Sequence, residues 1–269
     1  MRTDWTLGVA ALFLVFWVLL AICAPLLGLN PDRVDLTAIL APPGTFSLLG
    51  NDDLGRPVLD RLLSGARTSL LVGFGVVAVS ASFGTLVGAC SGFVGGWLDL
   101  VVARILDLFM AFPGILLAIA LAGVMGPGID NVIFALVVVG WVGYARLARA
   151  QVLALVHRDH VTAARALGRS GWAILLRHLI PLTIAPLMVE ATFAISGVVI
   201  AEAGLSFLGL GVQPPDASWG NMVRDGVSYL LVAPHLVVAP GLAILFVVLS
   251  VNLLGDALRD RLDVRSRHA

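Results

Sequence analysis

Two carboxylates, Glu190 and Glu202, lie inside an otherwise apolar run. An ionisable side chain held in hydrocarbon is costly enough to need a partner or a task. On one helix, at 1.5 Å per residue, their separation is about 18 Å, too far for an acid/base couple. With Ser196 and Asn252, also within apolar runs, they are the material available for a polar pathway across a membrane. Ser206 and His235 would be the obvious nucleophile and base of an intramembrane serine protease. Ser206 lacks the spacing of a nucleophile elbow, however, and both residues sit near the ends of apolar runs, where neither needs a special role. Cys23 and Cys90 fall in apolar runs and read as small core residues rather than a disulfide framework. The histidines at 157, 160, 178, 235 and 268 show no metal-ligand spacing. All 17 basic residues are arginine. Without lysine there is no P-loop lysine, Schiff-base lysine or Ser-Lys dyad, so nucleotide-driven work belongs to another subunit.

The most polar stretch runs from Arg146 to Pro181, with Arg146, Arg149, Arg158, Arg165, Arg169, Arg177 and three histidines against one acid, Asp159. Within it His160 to Leu167 reads as a short amphipathic helix, with Val161, Ala164 and Leu167 on one face and Arg158, Thr162 and Arg165 turned elsewhere. Gly168 ends it. A second helix starts at the N-cap Ser170 and runs through Trp172, Leu175, Leu176 and Leu179 until Pro181 meets the next apolar run. On composition alone, a basic loop obeying the positive-inside rule accounts for the stretch equally well.

The elements that hold these residues are membrane helices. The chain is 59% hydrophobic and 13% charged, with mean hydropathy +1.00, where soluble domains carry about a quarter charged residues. The expected fold is an all-α integral membrane protein with six transmembrane helices at about 7–29, 68–93, 105–125, 132–148, 182–203 and 236–254. A cleaved signal peptide competes for the first run, since Leu20-Ala-Ile-Cys23 resembles a lipoprotein cleavage box; Ile22 is too bulky for that box, and the run is longer than a typical h-region. Segment 30–67 is too polar to span. Its end, from Pro57 through Val58, Leu59, Leu62, Leu63 and Ala66, reads as an amphipathic helix on the outer surface, or as a solvated connector. Gly84, Gly88, Gly92 and Gly96 recur every four residues and line a face for close helix contact. Gly95 to Arg104 reads as a short loop, and Asp107 as a partner for Arg104. The third span is interrupted at Pro113-Gly114.

Several blocks carry a family resemblance. Thr162-Ala163-Ala164, Gly168 and His178-Leu179-Ile180-Pro181 resemble the cytoplasmic EAA signature of ABC importer permeases. Leu48-Leu-Gly-Asn-Asp-Asp-Leu-Gly-Arg56 through Gly65-Ala-Arg67, the Gly95-Gly-Trp-Leu-Asp99 block and Ala201-Glu202 through Leu205-Ser-Phe-Leu-Gly-Leu-Gly-Val-Gln-Pro-Pro215 resemble the dipeptide/oligopeptide/nickel branch in its second, C-type permease subunit. Thr162 stands where the signature has Glu, so a charge pairing by that Glu does not carry over.

The resemblance implies a type I ABC importer permease core over 68–256, with a first helix over 1–29, the outer segment 30–67, a coupling loop over 149–181 and a cytoplasmic tail over 257–269. His160, Val161, Thr162, Ala163, Ala164, Arg165, Leu167, Gly168 and Pro181 would then couple to an ATPase. It further implies a multi-pass protein of a bacterial-type inner membrane, working with a paralogous permease in a heterodimer, two ATPase subunits and an extracytoplasmic binding protein. ATP and Mg would be bound by the ATPases, and no cofactor by this non-catalytic chain. The cargo it implies is di- or oligopeptides, with nickel and other small solutes as further possibilities. With both termini inside, 12 of the 17 arginines are cytoplasmic, which sets the orientation. A self-contained secondary transporter or channel is the alternative, for which Glu190, Ser196, Glu202 and Asn252 would be the coupling groups; no inverted repeat of discontinuous helices supports it.

Overall fold

The computed structural model describes residues 2–262, and among them the chain is helical with no strand. Helix α1 is Arg2–Cys23, α2 Val58–Val94, α3 Gly96–Met110, α4 Gly114–Met125 and α5 Ile129–Leu155. Then come α6 Asp159–Ala166, α7 Gly171–Ile174, α8 Ile180–Phe207, α9 Trp219–Val227 and α10 His235–Leu262. Four helices are long and apolar enough to cross a membrane, namely α2, α5, the joined α7–α8 and α10. The pair α3 and α4, bent by 85°, makes a fifth if taken as one broken span. In α1 the strongly apolar part is the shorter stretch Ala11–Cys23.

The helix ends sort to two ends of the bundle. One end gathers the start of α2, the chain from 30 to 57, α9, the start of α10 and the far end of α1, where Trp17, Ala21, Val58, Leu62, Trp219 and Leu236 share one apolar cluster. The other gathers the ends of α2 and α5 with α6 and α7, where Ala89, Val152, Val161, Ala164 and Ile174 share another. Helices α2 and α5 form the axis between them.

Three expectations are corrected. The amphipathic helix expected to lie separately on the surface is the first turns of α2: nothing between Val58 and Val94 breaks the helix, and Val58, Leu62 and Ala66 are buried beneath α9, not laid on a membrane surface. Residues 96–104, expected as a loop, are the start of α3, since the chain turns fully at Gly95 and Gly96, with φ of +67° and +58° that glycine adopts without a Cβ penalty. The third span is not one rod over 105–125. Pro113 lacks an N–H and bars Phe112 from helical geometry, so the chain bends sharply there.

Pro181 does the opposite: it leaves the helix unbroken. Residues Leu175–Leu179 form a π turn, in which the Ile180 N–H donates to the Leu175 carbonyl. The extra residue relieves the clash a proline ring makes with the preceding turn, and the helix runs on from Gly171 to Phe207. The charged tail is helical as far as Leu262, as the end of α10; Arg265, Arg267 and His268, and the side chain of Arg2, lie outside the described residues.

Candidate functional site

The end of the bundle carrying α6 presents a half-anchored helix. Val161 is wholly buried and Ala164 nearly so, packed among Ala89, Val152 and Ile174. Arg165 lies over the Phe93 ring at 5.7 Å, a cation–π contact that ties α6 to the end of α2. Thr162, Ala163, Arg165 and Leu167 face outward, as does His160. Leu167, expected on the buried face, is 84% exposed. It is the C-cap, so the chain has left the helical screw before its side chain could turn inward.

The turn after α6 is closely specified. The Arg169 N–H donates to the Ala164 carbonyl at 3.1 Å and the Gly168 N–H to the Arg165 carbonyl at 2.9 Å. That pair of bonds is a Schellman motif, with Gly168 at its left-handed position, φ +75°. No atom crowds the place of a Gly168 Cβ, so the backbone angle alone demands glycine. Ser170 then caps α7, its hydroxyl accepting from the Ala173 N–H at 3.4 Å. Pro181 is exposed at the start of α8, beyond the π turn.

What anchors this end to the bundle is the α2–α5 crossing. A Cβ on Gly84 would run into the Trp141 carbonyl, one on Gly88 into the Ala145 carbonyl, and one on Gly92 would lie 2.9 Å from the Arg149 carbonyl. Gly96 has left the ladder: it sits past the turn, and a Cβ there would meet nothing. The crossing is closed by Asp99, whose carboxylate accepts two bonds from Arg149, the Nη2 one at 2.7 Å, and a third from the Ser91 hydroxyl at 2.7 Å. Sequence reading missed this pair, counting Arg149 with the basic handle; the available signal was the acid in the first turn of an apolar helix. Arg104 and Asp107 pair at 3.6 Å, both well exposed.

The four polar residues inside apolar runs do not converge. The Ser196 hydroxyl donates to the Asn252 side-chain oxygen at 2.8 Å, joining α8 to α10. Glu190 is exposed and lines a hollow of about 460 Å³ with Leu147, Pro186, Phe193 and Arg259. Glu202 is wholly buried at the other end of α8. Its carboxylate accepts from Ser69 of α2 at 3.0 Å and from Ser206 at 2.7 Å.

Around Glu202 the α9 end is knitted together. The Trp219 N–H reaches the Ser69 hydroxyl at 3.4 Å, and its indole N–H donates to the Leu62 carbonyl at 3.1 Å. Ser218 and Asn221 form a reciprocal capping box at the start of α9. Trp17 of α1 meets Trp219 edge-on at 5.2 Å. Above this, Arg56 pairs with Asp52 at 2.7 Å and the buried Arg61 reaches the same carboxylate at 3.5 Å. The segment before α2 is thereby held down. Burial pushes the Asp225 carboxyl of α9 above its ordinary value, with Arg61 pulling the other way. The link from Ser69 to Glu202 was not visible in sequence, because the two are 133 residues apart.

Residues 84–268 match the family described as "Binding-protein-dependent transport system inner membrane component". The chain is 37% identical over 260 residues to the dipeptide transport system permease protein DppC of Alkalihalophilus pseudofirmus, covering 96% of this chain and 86% of that one. It is 39% identical over 265 residues to the di/tripeptide transport system permease protein DppC of Pseudomonas aeruginosa, covering 96% and 88%. To the glutathione transport system permease protein GsiD of Pectobacterium atrosepticum it is 42% identical over 221 residues, covering 82% and 73%. In fold it is similar to a chain of the MetNI methionine ABC transporter in inward-facing conformations, with TM-score 0.56 at 20% identity, covering 75% of this chain and 96% of that one.

Proposed function

The chain belongs to the family of binding-protein-dependent transport system inner membrane components, and from that premise we propose that it is the permease subunit of an ATP-driven importer of short peptides. It is a multi-pass inner-membrane transport protein, not an enzyme. Short peptides are the cargo best supported, because relatives covered over most of their length are named for dipeptide, di/tripeptide and glutathione transport. ATP and Mg belong to two ATPase subunits, an extracytoplasmic binding protein delivers the peptide, and a paralogous permease supplies the other half of the pathway.

In this reading the chain crosses the membrane six times, the bent α3–α4 pair counting as one crossing and α1, at 22 residues, as another. Both termini and the α6 end face the cytoplasm, in line with the arginine distribution. The α9 end faces outward.

The observation that carries the coupling role is the two-sidedness of α6. One face is locked to α2, α5 and α7 by Val161 and Ala164, so a push on the helix moves those elements together. The other face, with His160, Thr162 and Leu167, is free to receive that push. The Schellman turn keeps the helix from yielding at its end, and the joined α7–α8 carries the displacement to Glu190 and Ser196. Pro181 and the π turn before it are where that helix bends most readily.

The test is to purify the assembly carrying Leu167→Asp. The variant is expected to insert normally but to lose at least tenfold of the peptide-stimulated ATP hydrolysis. Stimulation at the wild-type level would overturn the coupling role.

A further inference from the structure

On α2, Arg61 faces carboxylates while Arg67, about one and a half turns further on, has no protein counter-charge among the described residues. Arg56, Arg61, Arg104 and Arg149 each pair with a carboxylate, whereas Arg67 makes no ion pair among the described residues. It is exposed, and it is the last charged residue of α2: from Thr68 to Val94 the helix carries none. That uncharged stretch is about 40 Å long at 1.5 Å per residue. It exceeds a hydrocarbon core of about 30 Å, which puts Arg67 at headgroup level on the α9 side.

Arg67 stands over a groove of about 390 Å³ between α1 and α2. Buried Ala21 and Leu70 floor it, and Val18, Ile22, Leu71 and Phe74 wall it, with Ile22 and Leu71 more than 60% exposed. Alongside, α1 turns Leu12, Val15, Phe16 and Leu19 outward, an apolar surface. An apolar slot of this size under one unpaired guanidinium suits an amphiphile with an anionic head and a long apolar tail. A transmembrane helix of a neighbouring subunit would fill the slot but would have to supply a carboxylate at the membrane edge, at considerable cost. A phosphate meets the guanidinium with two parallel hydrogen bonds and is already at that depth.

We propose that this groove is a phospholipid site, with one acyl chain lying against Ala21, Leu70 and Phe74 and the phosphate paired with Arg67. The lipid clamps α1 to α2, filling the gap their own side chains leave. The proposal does not depend on what the protein transports.

Native mass spectrometry of the purified assembly tests it. The wild type is expected to retain a phospholipid through detergent exchange. Arg67→Gln should lower its occupancy at least tenfold, and so should Ala21→Phe, which blocks the slot and leaves the charge. Arg67→Gln retaining lipid at the wild-type level would overturn the site. A photoreactive residue in place of Leu71, which needs no loss of function or stability, gives a second reading. A phospholipid adduct supports the proposal, and an adduct to a protein chain shows that a neighbouring subunit fills the groove instead.

Discussion

The two ends of the bundle use polar residues in opposite ways. At the α9 end a buried carboxylate, Glu202, is surrounded by hydroxyls and backbone donors from α2, α8 and α9, and its hydrogen bonds are internal. At the α6 end the internal bonds are few and close to the axis, Asp99 with Arg149 and Ser91, while the helix beyond them presents His160, Thr162 and Arg165 outward. A buried polar group is destabilising once its hydrogen-bond partner is lost, so the first end behaves as a rigid joint. The second is a surface held on a short stalk. Substitutions of similar chemistry should therefore cost stability at one end and function at the other.

The largest stability loss is expected at the joint. Glu202→Ala leaves the Ser69 and Ser206 hydroxyls buried without an acceptor and opens a cavity, together costing about 3 kcal/mol. The assembly should melt at clearly lower temperature or fail to assemble, as read from its thermal unfolding in detergent. Wild-type melting would mean that the joint is not rigid, and the contrast between the two ends would fail.

Next comes the stalk. Asp99→Asn removes the charge that holds Arg149, and a charge-assisted bond of this kind contributes about 1.5–3 kcal/mol. Because the pair joins α3 to α5 beneath α6, coupling should fall with stability. A loss of stability with undiminished peptide-stimulated hydrolysis would show that α6 is positioned by its own packing alone.

How much of this was legible beforehand follows the distance over which each signal acts. The helix around Val161 and Ala164, the glycine turn at 168 and the serine cap at 170 are local, and each shows in a few adjacent residues. The close approach at Gly84, Gly88 and Gly92 is likewise written in a four-residue period. Gly96 broke that period because it is itself the second of two glycines at which the chain turns. Helix α2 runs through a polar-to-apolar boundary at Arg67 that composition reads as the end of one element and the start of another, yet helical geometry is indifferent to it. The Glu202 joint and the Asp99–Arg149 pair depend on chain segments far apart in sequence, and no local pattern marks them.

Gly168→Val sharpens the contrast further. The left-handed φ of +75° costs an L-residue about 1–2 kcal/mol, more for a β-branched one, while the space around it is open. The strain is confined to the turn, so the assembly should remain intact with slightly lowered melting temperature, while peptide-stimulated hydrolysis drops severalfold. Equal retention of both would mean that the turn does not set the pose of α6.

The smallest effect is expected at Thr162, where the chain departs from its family signature. Its side chain is exposed, and its hydroxyl reaches only the Arg158 carbonyl, at 3.4 Å. Thr162→Glu would place a carboxylate in the first turns of α6, near the positive end of the helix dipole and between Arg158 and Arg165, each one turn away. Those pairings are worth about 0.2–0.5 kcal/mol apiece, so the melting temperature should hold or rise slightly. Function then separates two accounts of the departure. If the ATPase surface opposite has adapted to a neutral residue, the new charge should reduce stimulated hydrolysis even as α6 becomes firmer. Unchanged or increased hydrolysis would mean that Thr162 lies at the edge of the contact and that Leu167 and the arginines carry it.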